Sequence, residues 1–378
     1  MDKIPFKPLA PWILEPWIFN PVNLLSLTYD QLSVLFQQRY DRGGFHASAL
    51  YRSFFQRPDL KISDLPAFAA NLPLARRIQG NLGHRLPRIS DTQDQDGVTK
   101  LALKLDDGLS IETVIIPMPH HATVCISSQV GCRMGCRFCQ TGQLGLQRHL
   151  RAEEIVAQVY LAKVVMGFAI RNVVFMGMGE PLDNWDNVIQ AIRVLSDQRG
   201  LDIAQRHITL STIGLIPGLQ RLADLNWPHL GVALSLNAPD DGLRQDLMPA
   251  TRSYALTDLK HTLQSYPLAK GRVLFVTYVL IKDINDSEDH ARQTAAFLKG
   301  LPVKVNLIPY NPGDQSLFQT PKAQQVEKFR QVLVDEHLFV RLRCARGDGI
   351  QAACGQLGGC SSQSIKPLLN SPLLFSSG

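Results

Sequence analysis

The stretch Gly131-Cys132-Arg133-Met134-Gly135-Cys136-Arg137-Phe138-Cys139 decides the reading of this chain. Its cysteines are spaced C-x3-C-x2-C, and Gly131 and Gly135 let the loop turn tightly. Structural zinc sites want four ligands, usually as two separated pairs. This stretch offers three thiols, and no His follows at ligand spacing. The two-cluster ferredoxin run has another spacing and a fourth Cys followed by Pro. Three close thiolates suit a 4Fe–4S cluster that leaves one iron without a protein ligand.

Such an open corner can chelate S-adenosylmethionine (SAM), and the run resembles the radical-SAM signature. The wider window Cys125-Ile126-Ser127-Ser128-Gln129-Val130-Gly131-Cys132 and the distant Ala352-Ala353-Cys354-Gly355-Gln356-Leu357 resemble one family in particular. That family is the RlmN/Cfr group of RNA adenosine methyltransferases. The resemblance spans roughly residues 23–360.

The rest of the sequence sets bounds. The chain has 378 residues, 45% of them hydrophobic, enough for one large domain or one large plus one small. The formal charge of +6 is compatible with an RNA partner. No apolar run is long enough to cross a membrane. The opening Met1-Asp2-Lys3-Ile4-Pro5 lacks a secretory h-region, so the expected compartment is the cytoplasm. There, clustered cysteines point to metal or redox chemistry.

Five regions are expected. Residues 1–22 are a Pro-rich arm with Trp12 and Trp17. Residues 23–90 form a small helical module. Thr28 and Gln31 have capping-box spacing, a second helix fits Ala47–Phe55, and a third lies near Leu65–Leu72. Arg76, Arg77, Arg85 and Arg88 close this module; such clusters are usually solvated, and the resemblance makes it an RNA-recognition module. Residues 91–121 are a linker. Its start, 91–97, reads as a polar turn, and its strands Val98–Leu105 and Ser110–Ile116 join at Asp107-Gly108 as a hairpin.

Residues 122–345 alternate strand and helix six times, which predicts a parallel sheet with helices outside. The expected fold is α/β, a partial (β/α)6 TIM-like barrel. Functional groups then belong at the C-terminal ends of the strands. Residues 346–378 form a tail carrying Cys354.

At those strand ends the sequence places Gly179-Glu180, Ser211, Ser235-Leu236-Asn237 and Asn311. Each alone reads as a turn or helix cap. The resemblance implies that all seven bind SAM, with Glu180 on its amino group and Cys132, Cys136 and Cys139 on the cluster. Asn237 stands where many relatives have His, and an amide does not titrate. Read alone, Cys354 is a buried small hydrophobe and Glu112 an exposed strand charge. The resemblance makes Cys354 the methyl carrier, Cys125 the second catalytic cysteine and Glu112 the proton acceptor. Cys344 and Cys360 match no catalytic position.

The implied chemistry consumes two SAM molecules per turnover. One methylates Cys354. The other generates a radical that removes hydrogen from the S-methyl group, and the resulting carbon radical adds to the adenine ring. Cys125 then frees the product through a transient disulfide bond, which is thiol-exchange logic. The implied target is carbon 2 of an adenosine in 23S rRNA, with tRNA as a further substrate. Flavodoxin or ferredoxin would donate electrons to a monomeric enzyme. Two alternatives stay open at this point. One is Cfr-like methylation of carbon 8; the other is a non-catalytic iron–sulfur RNA-binding protein.

Overall fold

The computed structural model describes residues 22–83, 85–312, 316–343 and 347–358. The Pro-rich arm up to residue 21, Cys344, Cys360 and the end of the tail lie outside the described residues.

The first module starts at β1 (Val22–Asn23). Helix α1 (Tyr29–Tyr40) opens with the expected capping box, Thr28 and Gln31 serving each other's backbone N–H groups. It turns at Asp41 into α2 (Gly44–Phe54), which starts three residues earlier than the apolar pattern suggested. The single third helix is a correction. It is two helices, α3 (Pro66–Ala69) and α4 (Leu72–Asn81). Pro73 sits in the first turn of α4, where its missing N–H costs nothing, and the Asn71 side chain caps the Leu74 N–H. Strand β2 (Leu82–Gly83) then pairs in parallel with β1 and ties the module's two ends together.

The module shares one apolar core with the rest of the chain. Phe54 stacks on Tyr160 with centroids 5.2 Å apart, and the Tyr160 hydroxyl donates to the Phe54 carbonyl. Asp197 accepts from the first N–H of α1 at 2.6 Å.

Next come β3 (Arg88–Gln95), β4 (Val98–Lys104), β5 (Ser110–Met118) and β6 (His121–Cys125). They form an antiparallel meander. Residues 91–95 are thus strand and not turn. Only Asp96-Gly97, both left-handed, make the bend. The polar run is tolerated because β3 is an edge strand with one face in solvent.

After β6, a short ribbon of β7 (Gln129–Gly131) and β8 (Leu146–His149) encloses α5 (Gln140–Gln143). Helix α6 (Ala152–Tyr160) follows and continues as a π-helical turn through Val165. Then come β9 (Ile170–Phe175), α7 (Trp185–Leu195), β10 (Ile208–Thr212), α8 (Ile216–Asp224) and β11 (Gly231–Ser235). The chain continues through α9 (Asp241–Leu247), α10 (Leu256–Gln264), β12 (Leu274–Leu280) and α11 (Glu288–Leu298). It ends in β13 (Val303–Pro309), α12 (Ala323–Asp335) and β14 (Val340–Leu342).

Strands β3–β6 and β9–β14 belong to one ten-stranded sheet in the order β14-β13-β12-β11-β10-β9-β6-β5-β4-β3. From β6 to β14 every neighbour is parallel. The sheet is open, with β14 and β3 as its edges, which agrees with the expected partial barrel. The strands of the expected linker therefore extend the same sheet. Strand β11 is buried almost throughout, while β10 and β12 alternate buried residues such as Ile208, Leu210, Leu274 and Val276 with half-buried ones, of which Ser211 and Thr277 face the cavity.

Candidate active site

The cluster loop is pinched at its base by the β7–β8 ribbon. Gly131 has φ +75, and a Cβ there would lie 1.8 Å from the Gly145 carbonyl oxygen, so no other residue fits. Cys132 N–H donates to that same oxygen at 3.0 Å, and Cys139 N–H to the Cys136 carbonyl at 3.1 Å. Cys132, Cys136 and Cys139 line one cavity. Burial pushes the Cys132 thiol up to about 12 and raises the other two, and the Cys139 thiol adds to the rise at Cys132 and Cys136. Thiols this reluctant to ionise become ligands only when a metal displaces their protons. Among the described residues no three His, Cys, Asp or Glu side chains gather tightly enough for a single ion. Three thiols lining one cavity fit a cluster, to which each would supply one thiolate.

The loop after β9 forms the next wall. Gly179 has φ +102, and a Cβ would meet Gln129 at 2.6 Å. Gln129 joins the two loops: its Oε1 accepts from the Glu180 N–H at 2.9 Å and its Nε2 donates to Asp183 at 2.7 Å. Ser127 adds a second tie, donating to the Glu112 carbonyl and accepting from the Met178 N–H. Glu180 is buried. Its oxygens accept from Leu182 N–H at 3.2 Å and Ile213 N–H at 2.9 Å. Burial outweighs these bonds and pushes its carboxyl up to about 7. No ion pair neutralises it among the described residues. A ligand ammonium would.

Ser211 and Ser235 stand at the ends of β10 and β11, their hydroxyls 3.5 Å apart, and both line the cavity. Asn237 lines it too, in a left-handed conformation. Its amide is already engaged, donating to Met248 Sδ and accepting from Val279 N–H. Leu236 is buried behind the wall, with its N–H given to Thr277 O. Asn311 follows β13, half-buried. The cavity offers about 190 Å³ of water-accessible space and is partly open to solvent.

Cys354 comes in from the other end of the chain and lines this cavity. It presents area to the cavity, yet enough protein surrounds it to raise its thiol pKa. The Arg343 guanidinium opposes that rise, and Cys139 adds to it. Cys125, at the end of β6, is buried and also feels Cys354. No disulfide joins the described cysteines, all five of which are free thiols.

Glu112 overturns the reading of an exposed charge. It is 1% exposed, on β5. Its Oε1 pairs with Lys100 Nζ at 2.9 Å, and its Oε2 accepts from Gly358 N–H at 2.6 Å. Lys100 also donates to the Ile350 and Gln351 carbonyls, each at 3.3 Å. The Cys354 segment is therefore pinned on both sides of the cysteine. Gln140 N–H to Gly355 O and Thr141 Oγ1 to Leu357 O fasten it to α5. Sequence reasoning assigned no role to Gln129, Lys100 or Arg343.

The Arg cluster of the first module divides. Arg77 donates to Arg39 O and lies over the Tyr40 ring, while Arg76 is exposed beside it. Arg85 pairs with Asp106 at 3.6 Å.

Comparison with known proteins completes the site. The Radical SAM superfamily model matches residues 126–295, from the cluster loop through α11. A dual-specificity RNA methyltransferase RlmN of Syntrophobacter fumaroxidans is 40% identical over 343 residues, covering 89% of this chain and 98% of that one. A protein of the same name from Geobacter sulfurreducens is 38% identical over 352 residues, 92% of this chain and 94% of that one. Among solved structures, a radical SAM methyltransferase from Sphaerobacter thermophilus superposes with a TM-score of 0.82 at 34% identity. It covers 89% of this chain and 99% of that one.

Proposed function

This chain belongs to the RlmN family of radical SAM RNA methyltransferases, and we propose that it methylates carbon 2 of an adenosine in 23S rRNA, and of a tRNA adenosine, through an S-methylcysteine. The observation that supports this reading is the pinned Cys354 segment, whose thiol lines the same cavity as the three cluster-loop cysteines, lies within electrostatic reach of Cys125, and is followed by a backbone N–H bonded to Glu112.

Cys132, Cys136 and Cys139 would hold a 4Fe–4S cluster. Glu180 and the Gly179 backbone would hold the SAM amino group; Ser211, Ser235, Leu236, Asn237 and Asn311 complete the cofactor's surroundings. When bound, cluster and SAM supply a methyl donor and a one-electron route to a carbon radical, with two SAM molecules used per turnover. The protein contributes the rest. Cys354 loses its proton and takes a methyl group as a nucleophile, helped by the nearby Arg343 charge. Glu112 accepts the proton that leaves the adenine carbon. Cys125 attacks the Cys354 sulfur, breaking its bond to the base-linked carbon and forming a sulfur–sulfur bond that a reductant reopens. We take the working form to be a cytoplasmic monomer supplied with electrons by flavodoxin or ferredoxin. No helix among the described residues is long and apolar enough to cross a membrane.

The test uses two variants in a host lacking its own enzyme. Cys354→Ala yields neither methylated protein nor methylated RNA. Cys125→Ala accumulates protein cross-linked to RNA, seen as a nuclease-sensitive mass shift on denaturing gels. Mass spectrometry of digested rRNA from wild-type cells reads the position of the methyl; a carbon 8 product would make the chain Cfr-like. Fully methylated RNA from Cys354→Ala cells would end the mechanism.

A further inference from the structure

Arg244 on α9 is 1% exposed, one of the largest fully buried side chains of the protein. It lies behind the cluster loop. Arg137 N–H donates to Leu247 O at the end of α9, and Ala250 N–H to Met134 O. Arg244 Nε donates to the Leu236 carbonyl at 3.2 Å and Nη2 to the Ile213 carbonyl. Its Nη1 is buried and has no partner. No carboxylate forms an ion pair with it among the described residues. The ionisable groups that influence it are the half-buried Asp241, which accepts from Leu256 N–H, and the Cys136 thiol.

A buried guanidinium without a paired anion is costly, because two carbonyl dipoles do not replace lost hydration. Structures that retain such a group supply a counter-charge from elsewhere. Beside Arg244 the anion is at hand once the cluster is bound. Three thiolates outweigh the positive charge of an oxidised iron–sulfur core, and reduction makes the assembly more negative still. We propose that Arg244 is a positioning residue for the cluster, supplying through its unpartnered N–H edge a hydrogen bond and a positive charge to the Cys136 corner. Hydrogen bonds to cluster sulfurs and nearby charge set reduction potential. A fixed cation favours the reduced, more anionic form and so raises the potential. The same side chain holds the carbonyl of Ile213, the residue whose N–H donates to Glu180, so it also ties the Cys136 side of the cavity to the Glu180 side.

The proposal rests on the iron–sulfur reading of the three cysteines. Iron content of the wild type tests that reading separately. The decisive measurement is a redox titration, followed by electron paramagnetic resonance, of anaerobically loaded wild type, Arg244→Met and Arg244→Lys at equal iron content. The Met variant shifts to a more negative midpoint, and the Lys variant shifts less because it keeps the charge but has one nitrogen to share. Thermal unfolding adds a sign test. Without the cluster, Arg244→Met is at least as stable as wild type, because an uncompensated charge is gone; with the cluster it is less stable. An unchanged midpoint in the loaded Arg244→Met variant overturns the proposal. So does an equal loss of stability with and without the cluster, which would make Arg244 a packing residue only.

Discussion

The cluster loop and the Cys354 segment lie side by side on one cavity, and they are held in opposite ways. The loop is built locally. Eight residues carry its three thiols, a two-stranded ribbon closes its base, and a glycine that admits no Cβ fixes its turn. The Cys354 segment has little local structure. It is fastened by polar contacts to β4, β5 and α5, from residues far away in sequence. Only Ala353, Gln356 and Leu357 are buried around the cysteine. On the proposed function, the thiols that would hold a metal are fixed by nearby chain, and the thiol that would receive and pass on a group is held by a few breakable polar contacts.

The largest effect should come from breaking the local side. Cys136→Ala removes one of only three thiols, so anaerobically purified protein should lose most of its iron and all SAM cleavage. Wild type should bind about four irons per chain, measured by colorimetric assay.

Breaking the long-range side should cost less and spare the cluster. Lys100→Met leaves Glu112 buried without its counter-charge, a loss of about 3–5 kcal/mol for such a pair. The segment should lift. Alkylation of Cys354, mapped by peptide mass spectrometry, should then quicken while iron content stays at the wild-type level. Unchanged alkylation would show that the backbone contacts to α5 suffice.

A milder perturbation is pH. The Glu180 carboxyl is raised by burial from its ordinary 4.5 to about 7, so the folded chain holds this proton more tightly than the unfolded chain. Stability without ligand should fall as pH rises from about 4.5 to about 7, by on the order of 3 kcal/mol. SAM binding should move the other way and tighten through that range, because its ammonium needs the carboxylate. Calorimetry at several pH values reads both trends, and Glu180→Gln should flatten both.

The smallest effect is expected at the surface. Replacing Arg76 and Arg77 with Ala should weaken RNA binding and shallow its salt dependence, with SAM cleavage intact. Arg76→Ala alone should account for most of the change, since Arg77 is occupied by Arg39 O and Tyr40. Equal affinity in the double variant would remove this corner from the interface.

The same contrast explains what the sequence revealed. The six strand–helix units were legible because short β-branched runs alternate with amphipathic stretches, a period that survives without tertiary context. The run 91–95 misled because Asp and Gln favour turns, while edge pairing with β4 decides its structure. Helix α4 was hidden by Pro73 and Gly80, residues that usually punctuate a helix. The β7–β8 ribbon was missed because Leu146-Gln147-Arg148-His149 has no alternation. Cys354 had no local signal and was found by resemblance alone. The burial of Lys100, Glu112 and Arg244 had none either, because burial of a charge is decided by what the fold packs against it.

The Cys354 segment leaves the sheet at its β14 edge and attaches to β4 and β5 beside the opposite edge. It therefore spans the mouth of an open barrel as a strap. Its place in the chain sets an order of assembly. The cluster cysteines, the Glu180 loop and every strand end are synthesised before it, so the cavity stands accessible to iron delivery while the nascent chain is still growing. Docking of this stretch buries the Lys100–Glu112 charges and narrows the cavity, so on the proposed cluster reading metal loading before docking meets the least obstruction.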